Sequence, residues 1–297
     1  MNARVVLLTA HLPNYHLIAD WAQRHNHQLL LVVTLPGGTG RRYGDEDLVA
    51  GLSKEHNALI TSQLRGVAAP AIAAMAPDLV ISAAFPRLIP PEILEIPACG
   101  AVNLHPSVLP AGRGPNPFRL VYEGDRTIGA TLHRTEAKFD TGPILSQRQR
   151  GLPREMSGPA LLAALGEMFA EVIEEGAAKA LAGEPGTPQD AARVSYAAPF
   201  TTEEELIDFA EPVAVICRKV AALNILTPRA RFRLAGNDCV VQHAYKVPSE
   251  DGAVPGTVLA PNTDGWTVQA ADSAVRIITA QPPELPRVFR RGEFAVG

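Results

Sequence analysis

The first half of the chain alternates short apolar runs with segments of helical period. Runs rich in Val, Leu and Ile predict buried strands, and the segments between them, with apolar residues three or four positions apart, predict helices. The predicted strands are Arg4–Thr9, Leu29–Thr34, Leu59–Thr61, Asp78–Ser82, Gly100–Leu104 and Thr127–Arg134, and the predicted helices are Tyr15–His25, Leu48–Glu55, Val67–Met75 and Gly158–Ala182. This alternation predicts an α/β fold with a doubly wound, mostly parallel sheet. Ligands of such sheets bind where the strands end.

The pattern changes after the long helix. Gly183–Pro188 is rich in Gly and Pro, and the chain to Pro199 predicts an extended linker. Glu203–Asn224 predicts a mostly helical segment, and Gly-rich or Asn-Asp turns then separate five strand-like runs, which predict a small β-barrel. These runs are Ala230–Leu234, Cys239–His243, Gly256–Leu259, Trp266–Ala270 and Val275–Ile278. We therefore predict a first domain over residues 1–184, a linker over 185–202, and a C-terminal helix with a small β-barrel over 203–297.

Composition and charge narrow the class of protein. With 46% hydrophobic and 20% charged residues, the 297-residue chain should form a packed core. A net charge of -4 argues against a protein whose main task is binding nucleic acid. The three cysteines are far apart and form no CxxC pair, so we expect neither structural zinc nor disulfides. No apolar run reaches the roughly 18–20 residues of a membrane span, so we expect a cytoplasmic protein with no membrane partner.

Candidate chemistry lies where a predicted strand ends. Asn103 and His105 are two positions apart in an extended segment, so their side chains leave the same face. An amide can hold a developing oxyanion and an imidazole can move a proton, which suits acyl transfer. Asp140 follows 35 residues later in a turn that could bring its carboxylate against His105. The spacing permits this site but does not require it, since Asn and His at a strand end more often cap or close a turn.

Other polar motifs give weaker evidence of a functional site. Gly37–Arg42 resembles a phosphate loop, but no Lys-Ser/Thr pair follows, so we interpret it as a surface loop. His25 and His27 have no further metal ligands in view and fit a solvated helix end. His133 lies on the strand that precedes Asp140, where contact with substrate and a structural role both stay open.

Two motifs resemble a known family. The run Asn103-Leu104-His105-Pro106-Ser107-Val108-Leu109-Pro110, followed by Arg113-Gly114, resembles the signature of the 10-formyltetrahydrofolate-dependent formyltransferases. Gly129–Arg134 and Phe139–Leu145 resemble the second signature of that family at the expected distance. Ser195–Pro199 and Glu205–Phe209 are similar, more loosely, to the bridge into the C-terminal domain of the methionyl-tRNA formyltransferases.

The resemblance implies roles for particular residues. Asn103 would stabilise the oxyanion, His105 would transfer the proton as an acceptor amine attacks the formyl carbon, and Asp140 would order a water and keep His105 in its productive state. The co-substrate would be 10-formyltetrahydrofolate, and no metal would be needed. The residues expected to contact the folate are Ala83, Ala84, Phe85, Ser107, Val108, Leu109, Pro110 and Phe139.

The acceptor amine is the open question. Residues 203–297 contain 10 Lys and Arg against 12 Asp and Glu, whereas a domain that docks RNA should lean positive. Pro106, Gly114–Pro117 and Thr131–His133 resemble the small-molecule and sugar members more than the tRNA enzymes. We therefore predict a small-molecule amine, such as an amino sugar nucleotide or a biosynthetic intermediate. The alternatives are initiator methionyl-tRNA and, third, hydrolysis of 10-formyltetrahydrofolate, for which we expect an additional N-terminal regulatory domain.

Overall fold

The computed structural model describes residues 2–36, 45–234, 237–249 and 253–279. The motif Gly37–Arg42 lies outside the described residues. The chain divides into two compact units, each built from several segments. Unit 1 contains Met1–Pro117, Ile128–Arg150 and Leu165–Ala197, and unit 2 contains Phe118–Thr127, Gly151–Ala164 and Ala198–Gly297. The domain boundaries predicted from the sequence stay a prediction.

The centre of unit 1 is a seven-stranded sheet. Its strands are β1 (Arg4–Thr9), β2 (Gln28–Thr34), β3 (Ala58–Ile60), β4 (Leu79–Ala83), β5 (Ala101–His105), β6 (Thr127–Arg134) and β7 (Ile144–Gly151), in the order β3-β2-β1-β4-β5-β6-β7. Strands β1 to β5 are parallel to one another, and β6 is antiparallel to β5. The predicted mostly parallel sheet is therefore confirmed.

The helices of the described residues include the five predicted from the sequence, with shifted ends, and two short ones, Pro91–Leu94 and Arg119–Glu123, that were not predicted. They are α1 (Leu12–Arg24), α2 (Asp45–Gly51), α3 (Ala69–Met75), α4 (Pro91–Leu94), α5 (Arg119–Glu123), α6 (Gly158–Leu181) and α7 (Val213–Leu223). Helix α1 begins before Tyr15 because Pro13 fits its first turn, where a backbone N–H has no partner in the helix. The helix predicted over Val67–Met75 is confirmed over Ala69–Met75, and a π-helical turn, Leu64–Ala68, runs directly into it.

The apolar runs of β1 and β4 are uninterrupted because both faces of the sheet are covered. Val5, Leu8 and Val80 are fully buried, as expected for central parallel strands. On one face, Val6, Leu31 and Val80 belong to a cluster that also contains Ile72, Phe85 and Ile93. This core fixes the ends of β4 and β5, where the candidate residues lie.

The sequence analysis missed one strand of unit 1. Strand β7 lies at the edge of the sheet, and Gln147, Arg148 and Arg150 are only partly buried. An edge strand needs little apolar surface, so β7 lacks the apolar run from which the other strands were predicted.

Unit 2 contains a five-stranded antiparallel sheet. Its strands are β8 (Arg231–Leu234), β9 (Asn237–Val247), β10 (Val258–Asn262), β11 (Gly265–Gln269) and β12 (Ala274–Thr279), in the order β10-β11-β12-β9-β8. The antiparallel pairings confirm a C-terminal β domain.

The helix predicted over Glu203–Asn224 is wrong in its first half, because α7 begins only at Val213. Pro212 precedes α7 and disfavours helical backbone at Glu211. The side chain of Glu204 accepts hydrogen bonds from Arg119 and from the amide of Thr201, which holds this stretch as a turn.

Candidate active site

Strand β5 carries the first two candidate residues. It lies between β4 and β6, and Asn103 is paired across the antiparallel ladder with His133 on β6. His105, at the end of β5, is paired with Thr131 and only 5% exposed. Because strand side chains alternate between faces, the residues two apart on each strand share one side of the sheet. The local pattern thus places an amide and two imidazoles together.

Asp140 joins them from the turn after β6. Its Oδ1 lies 3.3 Å from Nδ2 of Asn103, 3.4 Å from Nδ1 of His105 and 3.7 Å from Nε2 of His133. Its Oδ2 accepts a hydrogen bond of 2.8 Å from the amide of Gly114. The structure therefore brings together the three residues predicted as catalytic and adds His133 to the cluster.

The hydrogen bonds of His105 define its protonation. Nε2 lies 2.9 Å from the carbonyl oxygen of Gly112, which can only accept, so Nε2 carries the proton. In the neutral ring the lone pair is then on Nδ1, which faces Asp140. Burial lowers the pKa of His105 below its ordinary value, although the charge of Asp140 acts in the opposite direction. The ring is consequently a neutral base, and the carboxylate of Asp140 lies beside its unprotonated nitrogen, Nδ1.

Asp140 is ionised in this setting. Burial acts to raise its pKa, but the side chain of His133, the attraction that a protonated His105 exerts and the amide of Gly114 together hold the pKa below its usual value. A negative Asp140 stabilises a proton that arrives on Nδ1 of His105. His105 can therefore accept a proton from a nucleophile, because the negative charge of Asp140 compensates the positive charge that forms on the buried ring.

Asn103 is oriented by its neighbours. Nδ1 of His133 lies 2.7 Å from the carbonyl oxygen of Arg134, so that nitrogen carries a proton. Nε2, the other ring nitrogen, lies 3.1 Å from Nδ2 of Asn103 and can accept from it. The other N–H of Asn103 points to Asp140. Both amide hydrogens are held inside the cluster, so a bound oxyanion would have to replace one of these contacts.

Among the described residues, no group of three or more His, Cys, Asp or Glu side chains is arranged to hold a metal ion. Nor does any helix in the described ranges combine the length and apolar character that crossing a membrane demands. The cytoplasmic location stays a prediction.

Comparisons with known proteins give the cluster a context. The sequence profile of the formyl transferase family matches residues 3–156, and that of the formyl transferase C-terminal domain matches residues 199–288. A methionyl-tRNA formyltransferase of Carboxydothermus hydrogenoformans is 31% identical over 265 residues, which cover 86% of this chain and 85% of that protein. The chain belongs to the formyl transferase family. It is a folate-dependent N-formyltransferase, which confirms the predicted enzyme class and donor.

Solved structures share the fold of this formyltransferase. HypX from Aquifex aeolicus, solved in complex with tetrahydrofolic acid, superposes with a TM-score of 0.72 at 19% identity over 93% of this chain. The chain spans only 44% of that HypX chain. A sugar N-formyltransferase from Shewanella has a TM-score of 0.64 at 13% identity and covers 82% of this chain and 97% of its own.

The residues predicted to contact folate differ in what they expose. Ala83 ends β4 fully buried, Phe85 packs into the core, and Ala84 between them has a left-handed backbone with φ of 51°. At the site rim, 56% of Phe139 is exposed. A small residue in a turned backbone leaves room for a flat ring, so Ala84 suits the predicted contact better than the buried Phe85 side chain.

The second predicted folate segment is already braced by protein. Ser107 donates from Oγ to the carbonyl of Ala111, and its own carbonyl accepts from Thr131. The carbonyl of Leu109 accepts from Gln147. Backbone carbonyls have a second lone pair, so this bracing still permits contact with a ligand. Val108 and Pro110 complete the segment, and Pro110 accepts from the amide of Ser195.

Sequence reasoning missed the residues that fasten the two site loops. Gln189 bonds to the backbone of Asp140 and to Arg113, and Ser195 bonds to the amide of Gly112. Both lie in the segment predicted as a linker, which has no periodic pattern. The only sequence signal is the run Ser195–Pro199, which is similar to the family bridge but does not indicate these contacts.

Proposed function

We propose that this formyltransferase moves the formyl group of 10-formyltetrahydrofolate to the amine of a small-molecule acceptor. The observation that carries the proposal is the meeting of Asn103, His105 and Asp140 around a single carboxylate oxygen, Oδ1 of Asp140. An amide donor, a neutral imidazole and an ionised carboxylate are the groups that an acyl transfer needs.

In the proposed reaction the acceptor nitrogen attacks the formyl carbon, and the carbonyl electrons move to oxygen. Nδ1 of His105 takes the proton from that nitrogen, directly or through a water ordered by Asp140, and the carboxylate stabilises the imidazolium from 3.4 Å. Asn103 exchanges its contact with Asp140 for the oxyanion. Collapse of the intermediate breaks the bond from carbon to N10, and His105 returns the proton to N10 as tetrahydrofolate leaves.

The folate side of the site rests on the sequence signatures. We propose that the donor contacts Ala83–Phe85 and Ser107–Pro110, with Phe139 at the rim. The HypX structure of the same fold contains tetrahydrofolic acid, which supports the same class of ligand here.

The charges of unit 2 support a small acceptor rather than a polyanion. Most of its described cations lie in ion pairs within the unit, so their charge is already neutralised. These pairs are Arg119 with Glu204, Lys219 with Glu211, Arg229 and Arg231 with Glu205, Arg233 with Asp238, and Arg276 with Asp264. A phosphate chain would have to compete with each of these carboxylates.

The test is an acceptor screen with the purified chain. Release of tetrahydrofolate should depend on an added small amine, with amino sugar nucleotides as the first panel, and should change little between 50 and 200 mM salt. Mass spectrometry should show a gain of one formyl group on the acceptor. Tetrahydrofolate release that needs no acceptor would identify a hydrolase and overturn the transferase assignment.

Initiator methionyl-tRNA is the second candidate, favoured by the 31% identity to a methionyl-tRNA formyltransferase over 86% of the chain. Formylation of charged initiator tRNA, falling by about 10³ or more between 50 and 200 mM salt if many phosphates are bound, would establish it and reject the small acceptor.

A further inference from the structure

Gln189 occupies an unusual position in the segment after α6. Its side-chain amide makes four hydrogen bonds, which use both N–H groups and both lone pairs of the oxygen. Nε2 donates to the carbonyls of Asp140 at 2.9 Å and Gly142 at 2.7 Å. Oε1 accepts from Nε and Nη2 of Arg113 at 3.1 and 2.7 Å. One side chain thus joins two loops that are far apart in the sequence.

The first loop carries Asp140 in a strained conformation. Its backbone is left-handed, with φ of 56°, a conformation that is unfavourable for residues with a Cβ and that Asp adopts more readily than most of them. The two carbonyls held by Gln189 lie on either side of Thr141, so the amide clamps the turn at the point of strain. Strain of this kind persists only where neighbouring contacts determine the backbone. The clamp therefore sets the direction in which the Asp140 carboxylate leaves the turn.

The second loop holds both partners of the catalytic pair. Arg113 stands between Gly112, whose carbonyl accepts from His105, and Gly114, whose amide donates to Asp140. Displacing Arg113 would therefore shift the partner of each member of the pair.

The segment that carries Gln189 is itself fastened to other parts of unit 1. Thr187 and Ile144 exchange two backbone hydrogen bonds of 2.8 Å. Further along, Ser195 accepts from the amide of Arg113 through its carbonyl at 3.0 Å and from the amide of Gly112 through Oγ at 2.9 Å. Gln189 lies between these two attachments, so it is anchored from both sides.

We propose that Gln189 is a positioning residue for formyl transfer, whose amide fixes the approach of the Asp140 carboxylate to His105 by joining their two loops. This inference rests on the roles proposed above for Asp140 and His105. Gln189 itself contacts neither His105 nor the carboxylate; it acts through the backbone of Asp140 and the guanidinium of Arg113. A merely structural role would lower stability and leave the chemistry of the folded enzyme unchanged.

The experiment compares Gln189→Leu with Gln269→Leu. Gln269 is a matched control, because its Nε2 also donates to two backbone carbonyls, Ala270 and Ser273, and its Oε1 accepts from Ser249. In Q189L, kcat should fall by roughly 10- to 100-fold while KM for 10-formyltetrahydrofolate stays within about twofold. Q269L should lower the melting temperature without changing kcat. Equal kcat in the two folded variants would overturn the proposal.

A second measurement separates this inference from the proposed function. The titratable groups that face His105 are Asp140 and His133. The pKa of His105, measured by NMR titration of its ring, depends on how close the Asp140 carboxylate lies, and the measurement needs no turnover. Q189L should shift the His105 titration to lower pH, since the Asp140 charge then supports the imidazolium less. An unchanged titration rejects the positioning role even if the wild type has no transferase activity, whereas an inactive wild type with a shifted titration rejects the function alone.

If Q189L does not fold, Gln189→Glu decides instead. Glu keeps the oxygen that Arg113 contacts and places a carboxylate oxygen against the carbonyls of Asp140 and Gly142. The same loss of kcat and shift of the His105 titration are expected, and a wild-type rate in folded Q189E would count against the clamp.

Discussion

Nε2 of His105 donates to the carbonyl of Gly112 at 2.9 Å, and this bond leaves Nδ1 as the nitrogen that faces Asp140. The backbone carbonyl of Gly112 therefore selects the tautomer of His105, and the carboxylate of Asp140 lies beside Nδ1, the atom that accepts a proton. Four properties of this arrangement and of unit 2 can be measured directly.

The pH dependence of kcat/KM should report the protonation of His105. Because burial lowers its pKa, the neutral base persists below pH 6.5, and kcat/KM should fall only as the pH drops through that lowered pKa. In Asp140→Asn, the charge that raises the His105 pKa is lost, so the acid limb should move to still lower pH, and kcat should fall by roughly 10²–10⁴. Asp78→Asn is the control, since Asp78 bonds to the amide of Arg4 away from the cluster. An acid limb in D140N that coincides with that of the wild type would refute the pairing.

His133 should act through Asn103. His133→Leu removes the acceptor that orients the amide and should lower kcat by roughly 10-fold, with a smaller loss in His133→Gln, which keeps an acceptor. His27→Leu removes a comparable bond, to the amide of Ala3, and should affect only the melting temperature. Steady-state kinetics that rank H133L and H133Q as equal would show that the acceptor is not what matters.

Gly114 should not tolerate a side chain. A Cβ at this position would lie 2.5 Å from the Tyr196 ring, and the backbone φ of 106° disfavours any L residue. Gly114→Ala should displace the amide that donates to Asp140 and lower kcat/KM by roughly 10- to 100-fold. Gly183→Ala shares the positive φ of 77° but meets nothing within 4 Å, so it should cost only about 1 kcal/mol of stability.

The double variant G114A/Y196A is the internal check on that explanation. Removing the ring relieves the clash and leaves only the backbone strain, so part of the activity should return. If Y196A restores nothing, the clash is not the cause.

Arg119 should stabilise unit 2 in a pH-dependent way. It forms two hydrogen bonds of 2.8 Å with Glu204, whose pKa is lowered to about 2, mainly by this contact. A carboxylate with a depressed pKa contributes stability above its unfolded value near 4.5 and loses it as the pH falls towards 2. Arg119→Leu should therefore lower the free energy of unfolding by about 2 kcal/mol more at pH 7 than near pH 2, where only its bonds to the carbonyls of Ala198 and Pro199 are lost.

Urea denaturation at the two pH values measures the effect. Arg233→Leu breaks an exposed ion pair with Asp238 and should change stability by less than about 1 kcal/mol. A penalty for R119L that is the same at both pH values would exclude Glu204 as its source.

The limits of prediction follow from the range of the interactions. Asn103 and His105 could be paired from the sequence because strand periodicity is local, and the buried strands β1 and β4 were legible for the same reason. Asp140 reaches them through a left-handed turn that no periodicity encodes, and only the family signature indicated it. Gln189 is a polar residue in an aperiodic segment whose partners lie 47 to 76 positions away, so neither pattern nor signature identified it.

Thr187 is hydrogen-bonded to Ile144, and Ser195 is hydrogen-bonded to the loop of Gly112 and Arg113. These contacts bear on how relatives of this enzyme could be recombined. A chimaera joined at residue 184 would take the loops of Asp140 and Arg113 from one parent and the residues that brace them, Gln189 and Ser195, from the other. A junction after Ala197 keeps both with the same parent. Exchanges of the C-terminal segment between family members should therefore preserve activity more often when the exchanged segment begins at Ala198.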